Sequence, residues 1–114
     1  MRLNHPQGAA AEETAWRFLQ QQGCRLRARN WHCPFGEIDL IVEHQATLVF
    51  VEVRYRQSQA YGGAAHSIGA TKLGRLQRSA EYYIQQHRIS QPCRIDAVLI
   101  HGGQAPEWLT NITA

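Results

Sequence analysis

Gly36-Glu37-Ile38-Asp39-Leu40-Ile41-Val42-Glu43, a break at His44-Gln45-Ala46, and then Thr47-Leu48-Val49-Phe50-Val51-Glu52-Val53-Arg54-Tyr55-Arg56 form the stretch on which the fold turns. Both runs are rich in β-branched and aromatic residues, and the break is too short for anything but a hairpin turn, so two antiparallel strands are expected. If the hairpin folds symmetrically, Glu43 faces Leu48, Ile41 faces Phe50 and Asp39 faces Glu52. Both carboxylates then share one face as cross-strand neighbours, about 4.5–5.5 Å apart at Cβ, where like charges destabilise a sheet. A divalent cation compensates well, because Mg²⁺ is hard, prefers oxygen, and is commonly held by one or two carboxylates with waters and a phosphate. Arg54, two residues beyond Glu52, projects on the same face and can neutralise charge or grip a phosphate. The plainer alternative is a solvated ionic patch in which Asp39 and Glu52 pair with Arg54 and Arg56, and spacing alone does not choose between the two. The neighbours favour a site: Ile38, Leu40, Val51 and Val53 are expected to bury the opposite side, leaving the acids between Ile41 and Phe50. Acids in partly apolar surroundings need a reason.

Outward from the hairpin, Ala11, Ala15, Phe18 and Leu19 follow helical spacing over Ala9 to Gln22, with Glu12 and Glu13 in the first turns and Gly23 after the last. Cys24 to Trp31 alternates Cys24, Leu26 and Ala28 with Arg25, Arg27 and Arg29, which reads as a half-buried strand with an arginine face. Cys33-Pro34-Phe35-Gly36 breaks it from the strand that follows. Gln57 to Gly69, with Tyr61-Gly62-Gly63, has no clear period and is expected to be a loop. A second helix follows, with Thr71 as N-cap and Leu73, Leu76, Ala80, Tyr83, Ile84 and His87 as its apolar stripe through Arg88; Lys72, Arg75, Ser79 and Tyr82 share another face. Arg94 to His101 forms a fourth strand, apolar enough for burial on both faces, and Gly102 to Ala114 is a tail with Trp108, Leu109 and Ile112 to dock. The order α-β-β-β-α-β indicates an α/β fold, a mixed β-sheet flanked by helices.

The length, 114 residues, suits one domain over 1–114 with 102–114 as its tail. With 44% hydrophobic and 18% charged residues, the chain reads as neither a membrane protein nor a disordered one. Its longest apolar stretches, Ile38 to Val42 and Leu48 to Val53, fall far short of the roughly 20 residues that span a bilayer. Met1 to Gly8 carries Arg2, Asn4, His5 and Pro6 with no apolar run behind it, so no membrane association and a cytoplasmic location are expected. Cys24, Cys33 and Cys93 form no CxxC pair and are odd in number, against a disulfide framework or a cysteine zinc site. The six histidines show no HxH or HExxH spacing, against a zinc hydrolase. A formal charge of +3 permits nucleic-acid binding without requiring it, but eleven of the twelve basic residues are arginine, the side chain suited to bidentate phosphate contacts. They cluster as Arg25, Arg27 and Arg29, as Arg54 and Arg56, and as Arg75 and Arg78 after Lys72.

GEIDLI at Gly36 to Ile41 and VFVEVRYR at Val49 to Arg56 resemble the signature of the YraN family of small bacterial proteins. The likeness covers nearly the whole chain: Gly8 and Glu13, Asn30-Trp31, Tyr61-Gly62-Gly63, Lys72, and Arg94-Ile95-Asp96. That family is similar to the PD-(D/E)XK nucleases, especially the Holliday-junction resolvases, and the resemblance implies a restriction-endonuclease-like fold. It implies that Asp39 and Glu52 hold the metal, Mg²⁺ or Mn²⁺, and that Glu13 resembles a helix-one glutamate some resolvase-like members add. Arg54 stands where the motif has lysine, and guanidinium, always protonated, cannot serve as a base although it can stabilise charge. Lys72, the only lysine, is the substitute if it reaches the site; otherwise it is a solvated helix cation.

The function expected is metal-dependent endonuclease-like hydrolysis of phosphodiester bonds in structured or branched DNA. Asp39, Glu52, Arg54, Glu13 and Lys72 form the catalytic set, and Arg25, Arg27, Arg29, Arg56, Arg75 and Arg78 the backbone contacts. Two alternatives stand beside it: a nucleic-acid-binding module of the same fold without catalysis, favoured by the replaced lysine, and a protein-interaction domain. The resemblance also implies a homodimer, since resolvases act on two strands as symmetric pairs. Glu13 early in a helix is favoured by the helix dipole alone, Asp96 reads as a buried partner for an arginine, and Trp16, Trp31 and Trp108 as packing residues.

Overall fold

The computed structural model describes residues 6–56 and 68–113, so the expected loop with Tyr61-Gly62-Gly63 and most of the Met1 to Gly8 stretch lie outside the described residues. The elements are α1 (Pro6–Gln21), β1 (Arg25–Cys33), β2 (Gly36–His44), β3 (Thr47–Arg56), α2 (Ala70–Gln86), β4 (Cys93–His101) and β5 (Glu107–Leu109). The strands make one sheet in the order β1-β2-β3-β4-β5. Neighbours are antiparallel except β3 and β4, which run parallel, and a parallel pair needs a crossover, which α2 supplies. This is the expected mixed sheet, extended by one short strand.

The helices cover opposite faces. On one, Ala11, Ala15 and Leu19 of α1 pack on Leu40, Val42, Val49, Val51 and Val98; on the other, Leu76, Ala80 and Tyr83 of α2 pack on Ile41, Leu48, Phe50 and Ile95. The central strands β2, β3 and β4 are therefore apolar on both sides. No helix of the described residues is long and apolar enough to cross a membrane.

The β2–β3 turn has Gln45 at φ 50° and Ala46 at φ 71°, the left-handed pair that a two-residue hairpin turn requires and that glycine adopts more readily. His44 pairs with Thr47, Glu43 with Leu48 and Ile41 with Phe50, the symmetric register expected. The ladder stops at Leu40–Val51, one pair short of Asp39 and Glu52. Beyond it the Val53 N–H donates to Asp39 Oδ2 at 2.9 Å, so a carboxylate takes the place of a strand carbonyl. Alternation breaks at the same point: Ile38 packs with Ile41 on the α2 face, whereas Leu40, Val51 and Val53 are on the α1 face as expected. The two strands split at Asp39.

Three further expectations need correction. The register of β1 slips between Leu26 and Ala28, and this bulge leaves Leu26 39% exposed rather than buried with Cys24. Thr71 is not the N-cap of α2; Gly69 holds that position without a side-chain cap, its carbonyl accepting from Leu73 N–H at 3.0 Å. The tail does more than dock apolar side chains, because Glu107–Leu109 pairs with Ala97–Leu99. Asp96, fully buried, fastens it by accepting from Trp108 Nε1 (2.8 Å), Asn111 N–H (2.8 Å) and Arg94 Nε (3.0 Å). Asp96 is thus the buried arginine partner expected.

Candidate functional site

The strand split opens a cavity of about 230 Å³ lined by Asp39, Glu52, Glu37, Glu12, Tyr55 and Lys72 among others. Each comes from a different constraint. β2 and β3 bring Asp39 and Glu52, the second turn of α1 brings Glu12, and the first turn of α2 brings Lys72 across the parallel crossover. Lys72 Nζ lies 3.5 Å from Glu52 Oε2, and Arg54 Nε lies 3.9 Å from the same oxygen. The alternation that puts Arg54 on the face of Glu52 and the crossover that delivers Lys72 together gather two cations on one carboxylate.

Glu52 is buried, at 4% exposure, and Asp39 is half-buried. Burial, then the neighbouring Asp39 carboxylate, push Glu52 up to about 7, against the opposing pull of Lys72 and Arg54. Burial likewise raises Asp39, opposed by the Val53 N–H and by Lys72. The Asp39 carboxylate is itself a cause of the rise in Glu52, so a proton taken up by the pair eases their repulsion. Near neutrality the pair is poised to exchange that proton for a stronger electrophile.

The donors suit a hard cation. Both are carboxylate oxygens with incompletely compensated burial, which a divalent ion relieves. Among the described residues no group of three or more His, Cys, Asp or Glu side chains converges as a metal cage. Mg²⁺ tolerates this, since it is habitually held by one or two carboxylates with the rest of its shell from water and phosphate.

The structure separates the remaining sequence-predicted residues. Glu13 does not line the cavity: its carboxylate meets Arg17 at 2.9 Å and Arg29 at 3.1 Å, partners that hold it below the usual carboxylate range. Glu12 is there instead, on the helix face that Gly8 and Ala11 also present to the cavity. That i, i+3, i+4 phase was the available signal. Glu37 was also missed, although it stands two residues before Asp39; it also meets His32 Nδ1 at 3.3 Å. Arg27 pairs with Glu43 at 3.5 Å and Arg29 with Glu13, so two of the three β1 arginines are engaged with carboxylates, while Arg25 is exposed. Arg75 and Arg78 are exposed on α2. The side chain of Arg56, the last residue of β3, lies outside the described residues.

Residues 11–100 match the model of a family described as "Uncharacterised protein family UPF0102". A UPF0102 protein of Neisseria gonorrhoeae is 61% identical over 114 residues, 99% of each chain. One of Nitrosomonas europaea is 51% identical over 106 residues, covering 91% of this chain and 90% of its own, and one of Shewanella sp. is 45% identical over 104 residues, covering 91% and 95%.

Proposed function

This chain belongs to the uncharacterised protein family UPF0102, and on that premise we propose that it is a metal-dependent phosphodiester hydrolase acting on structured or branched DNA. The observation that carries the reading is the buried Asp39–Glu52 pair, opening into a cavity and faced by Lys72 at 3.5 Å. A purely structural ion pair would be expected to close over such groups; here they line accessible space.

Asp39 and Glu52 would hold Mg²⁺ or Mn²⁺, which when bound supplies Lewis-acid polarisation of a phosphate and an activated water. Asp39 is fixed by the Val53 N–H, so its second oxygen is oriented before any ligand arrives. Lys72 and Arg54 place positive charge beside Glu52, where the negative charge of a phosphoryl group in transit would gather. Arg54 stays protonated throughout and serves as a clamp. The starts of α1 and α2, both at this cavity, add the positive ends of two helix dipoles. Contacts from Arg75 and Arg78 would grip the backbone irrespective of sequence, which favours recognition of DNA shape. The acting unit proposed is a homodimer in the cytoplasm, able to address two strands.

A second reading, a binding module of the same fold without turnover, is favoured by Arg54 at the position where the resembled motif has lysine. One experiment separates them: labelled four-way junction, flap and single-stranded DNA are incubated with Mg²⁺ or Mn²⁺ and wild type, Asp39→Asn, Glu52→Gln or Lys72→Ala protein. The hydrolase reading expects metal-dependent nicking that Asp39→Asn and Glu52→Gln abolish and Lys72→Ala slows. Salt-sensitive binding with no nicking by any form would leave the binding module. No binding at all would leave docking of another protein.

A further inference from the structure

Phe35 is 45% exposed, one of two large hydrophobic residues exposed among the described residues. It sits in the β1–β2 turn beside Gly36, whose φ of 147° is a conformation that residues with a side chain rarely adopt and which lies close to Ser79 of α2. Its ring is backed by Tyr82 at 6.0 Å, which meets Trp31 at 6.1 Å. Trp31 in turn packs edge-on against buried Tyr83 at 5.2 Å. An aromatic series thus runs from the core to an exposed tip, a rigid support for a ring held in solvent.

Two hollows flank that tip. One, of about 320 Å³, has Arg78, Glu81 and Tyr82 beside Phe35; the other, of about 510 Å³, has Arg75, His32 and Glu37. Guanidinium groups on both sides of an exposed aromatic ring are what a base and its flanking phosphates require. The carboxylates Glu81 and Glu37 can accept from the amino groups of a base edge. Glu37 also lines the Asp39–Glu52 cavity, so ledge and carboxylate pocket adjoin. Lys72, Arg75 and Arg78 recur at three-residue intervals on α2, spanning about 9 Å of helix between the two.

We infer that the ledge of Phe35 and Tyr82, flanked by Arg75 and Arg78, stacks an unpaired nucleobase next to the phosphate held at the carboxylate pocket. The inference rests on the nucleic-acid reading and deepens it: the substrate class is DNA with unpaired bases beside a duplex, as at a gap, flap or junction. In a continuous duplex every base is already stacked on its neighbours and has no face to offer.

The test uses the full chain without added metal and two fluorescent probes of equal length, a continuous duplex and a gapped duplex with 2-aminopurine in the gap. Wild type is expected to bind the gapped probe more tightly and to quench its fluorescence. Phe35→Ala, at an exposed site with little effect on folding, is expected to weaken gapped binding by about tenfold or more and to abolish the quenching. Binding of the continuous duplex should stay unchanged. Phe35→Trp should restore the preference, with its indole emission quenched by the gapped probe. Equal affinity of wild type for both probes, or equal loss on both by Phe35→Ala, overturns the ledge while leaving nucleic-acid binding intact. Failure of wild type to bind either probe, without metal and again with Ca²⁺ added as an oxygen-preferring divalent ion, overturns both.

Discussion

Replacing Glu52 by glutamine should make the protein more stable at alkaline pH, and the size of the gain follows from the pocket. Glu52 is held up to about 7 in the fold against an ordinary 4.5, with burial as the main cause. A carboxyl raised in the native state stabilises it fully below the unfolded value, and that stabilisation is lost as pH rises through the folded one. The window is therefore about pH 4.5 to 7, and at about 1.4 kcal/mol per pH unit the loss amounts to about 3 kcal/mol. The Glu52 side chain is only 5% exposed, so little of this is screened by solvent. Glutamine keeps the shape, carries no charge, and can donate to Asp39, while Lys72, with its side chain 37% exposed, can turn to water. Urea unfolding in chelator at pH 5, 6, 7 and 8 should show wild type losing about 3 kcal/mol over that range. The variant should lose less, keeping only the contribution of Asp39, and should exceed wild type at pH 8. Parallel profiles for the two proteins, or a variant weaker at pH 8, would refute the reasoning.

Added Mg²⁺ should reverse this penalty in wild type. At pH 8 a concentration ten times the dissociation constant adds about 1.4 kcal/mol to unfolding, whereas Asp39→Asn should show no shift; equal shifts in both would place the ion elsewhere. Asp96→Ala removes a buried acceptor from Arg94, Trp108 and Asn111, and should cost about 3–5 kcal/mol. Amide exchange should accelerate first in β5, and an unchanged exchange pattern there would contradict its role as the fastener. Ala46→Gly relieves a left-handed alanine at φ 71° and should raise stability by about 1 kcal/mol in the same urea assay; a loss would mean that the turn is not strained.

The hairpin register was legible because a two-residue turn fixes pairing symmetrically and the side-chain period is two. That placed Glu43 opposite Leu48 and Ile41 opposite Phe50, and it brought Asp39 and Glu52 to one locality. The split beyond Leu40 was not legible, since it arises when a side chain replaces a carbonyl as acceptor for Val53, an event with no pattern in neighbouring residues. Lys72 is 20 residues from Glu52 in sequence, and only the parallel crossover brings them within 3.5 Å. Glu12 rather than Glu13 lines the cavity because adjacent residues lie about 100° apart around a helix axis, and the resemblance that pointed to Glu13 carries no information on helical phase. β5 is three residues long and owes its place to Asp96 rather than to its own propensity, so no strand pattern announced it. The bulge that exposes Leu26 was hidden for a similar reason, because an alternating sequence does not reveal where its partner slips.

The carboxylate that closes the split between β2 and β3 gives the two acids unequal fates under mutation. Glu52 burdens the fold at neutral pH, and a lineage released from selection for chemistry would gain stability by shedding it. Asp39 satisfies the Val53 N–H, and that debt to the backbone persists whether or not a phosphate is ever bound. Decay of function in this fold should therefore be ordered, with position 52 drifting to neutral residues first and position 39 keeping an oxygen acceptor long after. An aspartate or asparagine standing alone at that point of a related sheet would then record a former pair.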